Sequence, residues 1–131
     1  MATTVAATPA ARVTNAVKHF KWEARGKRRL HKRPDVAEIT ACHTWLEQEI
    51  DLVRPGVVVC LGATAARAVL GRPATISSTR GQGLEGPDGR TVVVTIHPSA
   101  VLRARGDEDR AAIRAGLAAD LRLARDTAAT P

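Results

Sequence analysis

The sequence predicts an α/β protein with a mainly parallel central sheet, and three observations carry that reading. Val57 to Leu61 (VVVCL) and Thr91 to Ile96 (TVVVTI) are short apolar, β-branched runs, the pattern of strands covered on both faces. Around them lie stretches whose apolar residues recur every three or four positions, which is helical spacing. Along the chain the order reads strand, helix, strand, helix, strand, strand, helix, an alternation that suits a sheet layered with helices.

The opening MATTVAATPAA has neither a basic n-region nor an apolar h-region, so it does not read as a secretory signal. It is expected to be a disordered tail, residues 1–11, with the domain at 12–127 and a second tail at 128–131. Arg12 to Val17 predicts a short strand ending near Asn15, followed by a basic loop with Gly26 at its bend. Pro34 closes that loop and Asp35 opens a helix, with Glu38 three residues on as a capping box. Val36, Ile39, Cys42, Leu46, Ile50 and Val53 form the helix's apolar stripe, and Pro55 and Gly56 end it. Val57 to Leu61 is bounded by Gly62. Ala63 to Leu70 reads as a short helix stopped by Gly71, and Thr75 to Ser77 as a weak strand. Arg80 to Arg90, with its Pro87-Asp88-Gly89 turn, reads as a loop or hairpin. The run from Thr91 breaks at His97-Pro98. Asp107 to Asp126 is the last helix, with Ile113, Leu117, Leu121 and Ala124 as its stripe.

A chain of 131 residues supports one domain. Its only aromatic residues are Phe20, Trp22 and Trp45, so the core must be aliphatic. No apolar run approaches the roughly 18–20 residues that span a bilayer, and no membrane role is expected. Cys42 and Cys60 fall on a predicted helix and a predicted buried strand. They make no secreted disulfide framework, so the reducing cytoplasm is the expected compartment, with a disulfide between them the alternative.

Charge is distributed unevenly. Lys18 to Arg33 (KHFKWEARGKRRLHKR) holds eight of the 20 Lys and Arg residues and one of the 13 acids, a local +7. The remaining 12 basic and 12 acidic residues cancel. A concentrated patch on a neutral background points to a polyanion, nucleic acid first.

Asn15 and His97 both fall at the carboxyl ends of predicted strands, where sites gather in open α/β sheets. Asn15 is either a turn-former or an amide that reads a base edge, offering a donor and an acceptor together. His97 is either a loop residue or part of a site. HPSAVLR gathers an imidazole, the Ser99 hydroxyl and the Arg103 guanidinium on one turn, suited to phosphate contact and to a developing negative charge. His31 is either one more solvated loop residue or a nucleophile, its ring kept neutral by surrounding cations. His19 and Cys42 are soft metal donors, but two ligands do not make a site. Cys60 reads as core. LGATAA after the first apolar strand lacks the spacing and Lys of a phosphate loop.

Taken together, TNAVKHF (Thr14 to Phe20), KRRLH (Lys27 to His31), the helix around ACHTWL, PGVVVCLGATAARAVLG (Pro55 to Gly71) and TIHPSAVLR (Thr95 to Arg103) resemble the uracil-DNA glycosylases. The likeness is to the iron–sulfur branch (family 4) and to its UdgX type, and runs from Val13 to the final helix. LGATAA and HPS are shared across the wider superfamily. KRRLH is more specific, although Ile is usual before the histidine where this chain has Leu30.

The resemblance implies a three-layer α/β/α sandwich and an enzyme of base-excision repair that cleaves the N-glycosidic bond of uracil in single-stranded DNA. Asn15 matches the uracil-reading asparagine, and His97 matches the histidine that donates to uracil O2. His31 matches the loop histidine that attacks the sugar C1′ and stays bonded to it. Lys27, Arg28, Arg29, Lys32, Ser99 and Arg103 are the expected DNA contacts. His19 and Cys42 match two ligands of a [4Fe–4S] cluster.

The family's first motif, a Gly-Glu-x-Pro-Gly loop, and its CxxC pair lie upstream of the TNAVKH strand, where this chain has only MATTVAATPAA. The expectation is therefore an N-terminally truncated, monomeric domain that lacks two cluster ligands and is inactive alone. Two rivals remain: a non-catalytic basic module that binds nucleic acid, and a structural remnant of such an enzyme.

Overall fold

The computed structural model describes residues 2–5, 11–14, 22–25, 28–31 and 36–129. Its central element is the parallel pair β5 (Val57–Leu61) and β7 (Thr91–Thr95), registered Val57 to Thr91 through Leu61 to Thr95. All five residues of β5 and four of the five in β7 are buried, because both faces of the pair are covered. Side chains alternate across a strand, so Val58, Cys60, Val92 and Val94 enter one core while Val57, Val59, Leu61 and Val93 enter the other.

The first core is closed by α1 (Val36–Val53) and α2 (Ala63–Leu70). From α1 come Ile39 and Leu46, with Ile50 packed against them, and from α2 Ala65, Ala66, Ala68, Val69 and Leu70. The stripe expected on α1 is therefore its buried face, apart from Val36, which is exposed at the helix start. Arg54, at φ 51°, turns the chain out of α1 by returning its N–H to the Ile50 carbonyl. Gly71 ends α2 in the left-handed conformation, as the sequence predicts. The second core is closed by α5 (Asp107–Ala129) through Ala124, Leu117 and Leu121. Helices thus lie on both faces of the sheet, and the α/β/α layering holds.

The sheet is mixed, with one parallel pair and three antiparallel ones. Its order is β2 (Ala11–Thr14), β1 (Ala2–Val5), β5, β7, β6 (Gly83–Glu85). The connections explain the departure from a mainly parallel sheet. A parallel pair needs a crossover of roughly a dozen residues or more, which the β5-to-β7 connection, containing α2, supplies. Residues 6–10 between β1 and β2 are too few, and β6 returns to β7 through a tight turn with Gly86 N–H on the Arg90 carbonyl at 2.7 Å.

Three local expectations are corrected. The opening residues, read as tail, include β1, which pairs antiparallel with β5 (Ala2 opposite Cys60, Val5 opposite Val57) and with β2. Thr-Thr-Val is β-branched and uncharged, and the edge of a fully buried strand supplies the hydrogen-bonding template. The weak strand near Thr75 is instead the start of a helical turn, α3 (Ile76–Thr79), because the Ser78 and Thr79 hydroxyls donate back to the Thr75 carbonyl. Within the basic stretch, β3 (Trp22–Arg25) and β4 (Arg28–His31) pair antiparallel, Trp22 opposite His31. Two paired strands thus stand where a loop is expected.

Candidate functional site

Because β5 and β7 run parallel, their carboxyl ends open on the same edge of the sheet. Gly62 leaves the first and His97 follows the second. The Gly62 N–H donates to the Thr95 carbonyl at 2.9 Å, tying the two exits together. Gly62 has φ 97° and ψ 169°, and a methyl added to it would lie 3.3 Å from His97 Cβ and 3.9 Å from Cδ2. The missing side chain is what lets the imidazole lie against the start of α2.

The ring is held in a defined protonation state by its own turn. The Ser99 backbone N–H donates to His97 Nδ1 at 3.1 Å. A backbone N–H can only donate, so Nδ1 must be the unprotonated nitrogen, and the proton sits on Nε2. The Ser99 hydroxyl, 2.8 Å from the same Nδ1, then donates as well. Burial lowers the His97 pKa from its ordinary value, and the Arg103 guanidinium pushes in the same direction. The outcome is a neutral imidazole with a single N–H donor at Nε2, an arrangement suited to an oxygen that gains negative charge. Ser99 begins the short α4 (Ser99–Leu102), and Arg103 is exposed at its end.

Beneath the site, Thr95 is fully buried and donates its hydroxyl to Asp120 Oδ2 at 2.6 Å. Arg80 donates to the same oxygen through Nε at 3.1 Å and Nη2 at 2.8 Å. Sequence reasoning missed Gly62 as a wall of the site, and it missed Asp120 and Arg80 altogether. The available signal was an acid on the apolar side of α5, one residue before Leu121 of the stripe.

Of the predicted residues, the structure brings His97 and Ser99 together, with Arg103 at the end of the same turn. Arg28, Arg29 and His31 share strand β4 of the basic hairpin. Asn15, His19, Lys27 and Lys32 lie outside the described residues. Thr14, the last described residue before Asn15, shares one register row with Ala2 and Cys60, and Cys60 pairs with Val94. The β2 strand therefore ends at the same edge of the sheet as His97, three strand spacings or about 14 Å from β7.

Cys42 is fully buried on α1. Among the described residues no three His, Cys, Asp or Glu side chains come together to hold a metal. The described donors do not fit a [4Fe–4S] cluster, and no step below runs through one. Burial pushes the Cys60 thiol up to about 12, consistent with a core residue. Among the described residues, no helix is long and apolar enough to cross a membrane.

The chain is 36% identical over 81 residues to a Type-4 uracil-DNA glycosylase of Thermotoga maritima, covering 61% of this chain and 42% of that protein. It is 38% identical over 68 residues to a Type-5 uracil-DNA glycosylase of Pyrobaculum aerophilum, covering 51% of this chain and 30% of that one. The chain thus spans less than half the length of these curated relatives. Residues 5–122 match the family model of the Uracil DNA glycosylase superfamily, a stretch that takes in both parallel strands, the Gly62 and His97 exits and most of α5. This chain belongs to the uracil-DNA glycosylase superfamily.

Proposed function

We propose that this chain carries the uracil-recognition and sugar-trapping groups of a UdgX-type glycosylase acting on single-stranded DNA. The observation that carries the reading is His97, a neutral imidazole whose Nδ1 is occupied by Ser99 and whose Nε2–H is therefore its one donor. The target base must leave the stack, at a cost of about a few kcal/mol that single-stranded DNA reduces. As the N-glycosidic bond breaks, its electron pair passes to the uracil and the sugar becomes cationic. The Nε2–H of His97 then donates to uracil O2, a contact worth roughly 3–4 kcal/mol when a preformed donor meets developing charge.

In this reading Asn15 reads the other edge of the base from the β2 side. A gap of about 14 Å between strand ends accommodates two side chains with a pyrimidine between them. His31 attacks C1′ through a ring nitrogen, forms the N–C bond and loses its N–H proton, so the product is a protein–DNA adduct. Lys27, Arg28, Arg29 and Lys32 hold the phosphates of the strand, with Arg103 at the HPS turn. In this reading the chain acts as a monomer in the cytoplasm.

The test is competition binding of uracil- and thymine-containing single-stranded oligonucleotides, followed by a denaturing gel with a His31→Ala control. Uracil preference with a heat-stable shifted band that disappears in His31→Ala is the expected result. Uracil preference without a shifted band would discard the trapping role of His31. Equal, salt-sensitive binding to both oligonucleotides would discard the glycosylase pocket. The local +7 charge and the β3–β4 hairpin would then favour a non-catalytic nucleic-acid-binding module.

A further inference from the structure

Asp120 has an environment that packing alone does not require. Its side chain is 7% exposed, and its Oδ2 accepts three donors: Thr95 Oγ1 and the Nε and Nη2 of Arg80. A buried carboxylate is costly unless it is paired and hydrogen-bonded, and here the network joins three parts of the chain. Thr95 ends β7, Arg80 follows α3, and Asp120 lies on α5.

The backbone is shaped to allow the contact. Gly116 precedes Asp120 by one helical turn, and a methyl there would lie 2.7 Å from Arg80 Nη2. Glycine weakens a helix interior, yet at this position its open surface is filled by the guanidinium.

The network leads to one place. Thr95 is anchored through its hydroxyl to Asp120, while its carbonyl accepts the Gly62 N–H. Gly62 is the surface against which His97 rests, and His97 is two residues beyond Thr95. The strand end and the wall of the imidazole are thus both referred to one carboxylate.

We propose that Asp120, held by Arg80, is a positioning residue that acts through Thr95 and Gly62 to keep His97 in the orientation in which Ser99 selects its tautomer. The functional consequence rests on the glycosylase reading above, whereas the geometric consequence does not.

The test uses the full chain labelled with nitrogen-15 and reads the His97 ring nitrogens by long-range proton–nitrogen correlation. Wild type should show Nδ1 unprotonated and Nε2 protonated at pH 7.5. Thr95→Val keeps the shape but removes the hydroxyl, and it should mix the two tautomers. It should also weaken uracil-oligonucleotide binding by about tenfold, the loss of an oriented hydrogen bond. Thr95→Ser should restore both readouts, which a purely packing role for Thr95 would not predict. Gly116→Ala, which leaves Thr95 intact and pushes Arg80 off Asp120, should move the His97 signals the same way and serves if Thr95→Val fails to fold. Unchanged His97 signals in the folded variants would overturn the proposal. The ring spectra need no uracil, so a wild type without uracil preference would sink the glycosylase reading and leave the positioning proposal to be judged separately.

Discussion

Replacing Gly62 by alanine tests the wall of the site directly. Two costs combine. With φ 97° and ψ 169°, Gly62 occupies a region that is essentially closed to other residues, at about 1–3 kcal/mol. The new methyl would also lie 3.3 Å from His97 Cβ, inside ordinary carbon contact, and overpacking of this kind costs about 1–3 kcal/mol. Gly71 separates the two effects, since it has φ 74° and nothing within 4 Å of an added methyl. Gly71→Ala should therefore cost only the left-handed strain, about 1–2 kcal/mol. Gly62→Ala should cost roughly 2–6 kcal/mol. For a chain of this length each kcal/mol lowers Tm by about 4 °C. The expected drops are therefore about 8–24 °C for Gly62→Ala and about 4–8 °C for Gly71→Ala. Thermal unfolding by circular dichroism measures both, and the His97 ring resonances should move only in Gly62→Ala. Equal losses in Tm with unchanged His97 resonances would refute the packing of Gly62 against the imidazole.

Three further predictions concern pH, thiols and the two faces of the fold. His97 has a lowered pKa in the folded state, so near its ordinary value of about 6.5 the unfolded chain binds more protons. Its contribution to stability is complete above about pH 6.5 and is lost as pH falls through the folded value. Urea midpoints compared at pH 7.5 and pH 5 should fall further in wild type than in His97→Gln, and parallel losses would remove His97 as a cause. Cys42 and Cys60 are fully buried, so neither should react with iodoacetamide at pH 8 until urea unfolds the chain; labelling of the native protein would contradict the packing. Leu52 is 84% exposed whereas Val59 is fully buried. Leu52→Glu should change stability by less than about 0.5 kcal/mol, and Val59→Ala should cost about 2–3 kcal/mol, with the reverse order in urea titrations contradicting the assigned faces.

The sequence alone determined the two buried strands, the helices α1, α2 and α5, and the family. Continuous runs such as VVVCL, the stripe of α1 and the Gly71 stop are local patterns, so their physics is written within a few residues. His97 was legible for the same reason, since HPS places the imidazole and its serine partner on one turn. Tertiary structure decided the rest. Ala2–Val5 became a strand because the unpaired edge of β5 lies beside it, and no property of ATTV alone supplies that edge. Gly62 became a wall because β5 and β7 exit side by side, although their residues are more than thirty positions apart. Asp120, one charged residue on a helix, became the anchor of Thr95 because α5 crosses the face of the sheet where β7 ends. Interactions of that kind join residues distant in the chain, and a buried carboxylate shows its partners only when the chain is folded around it.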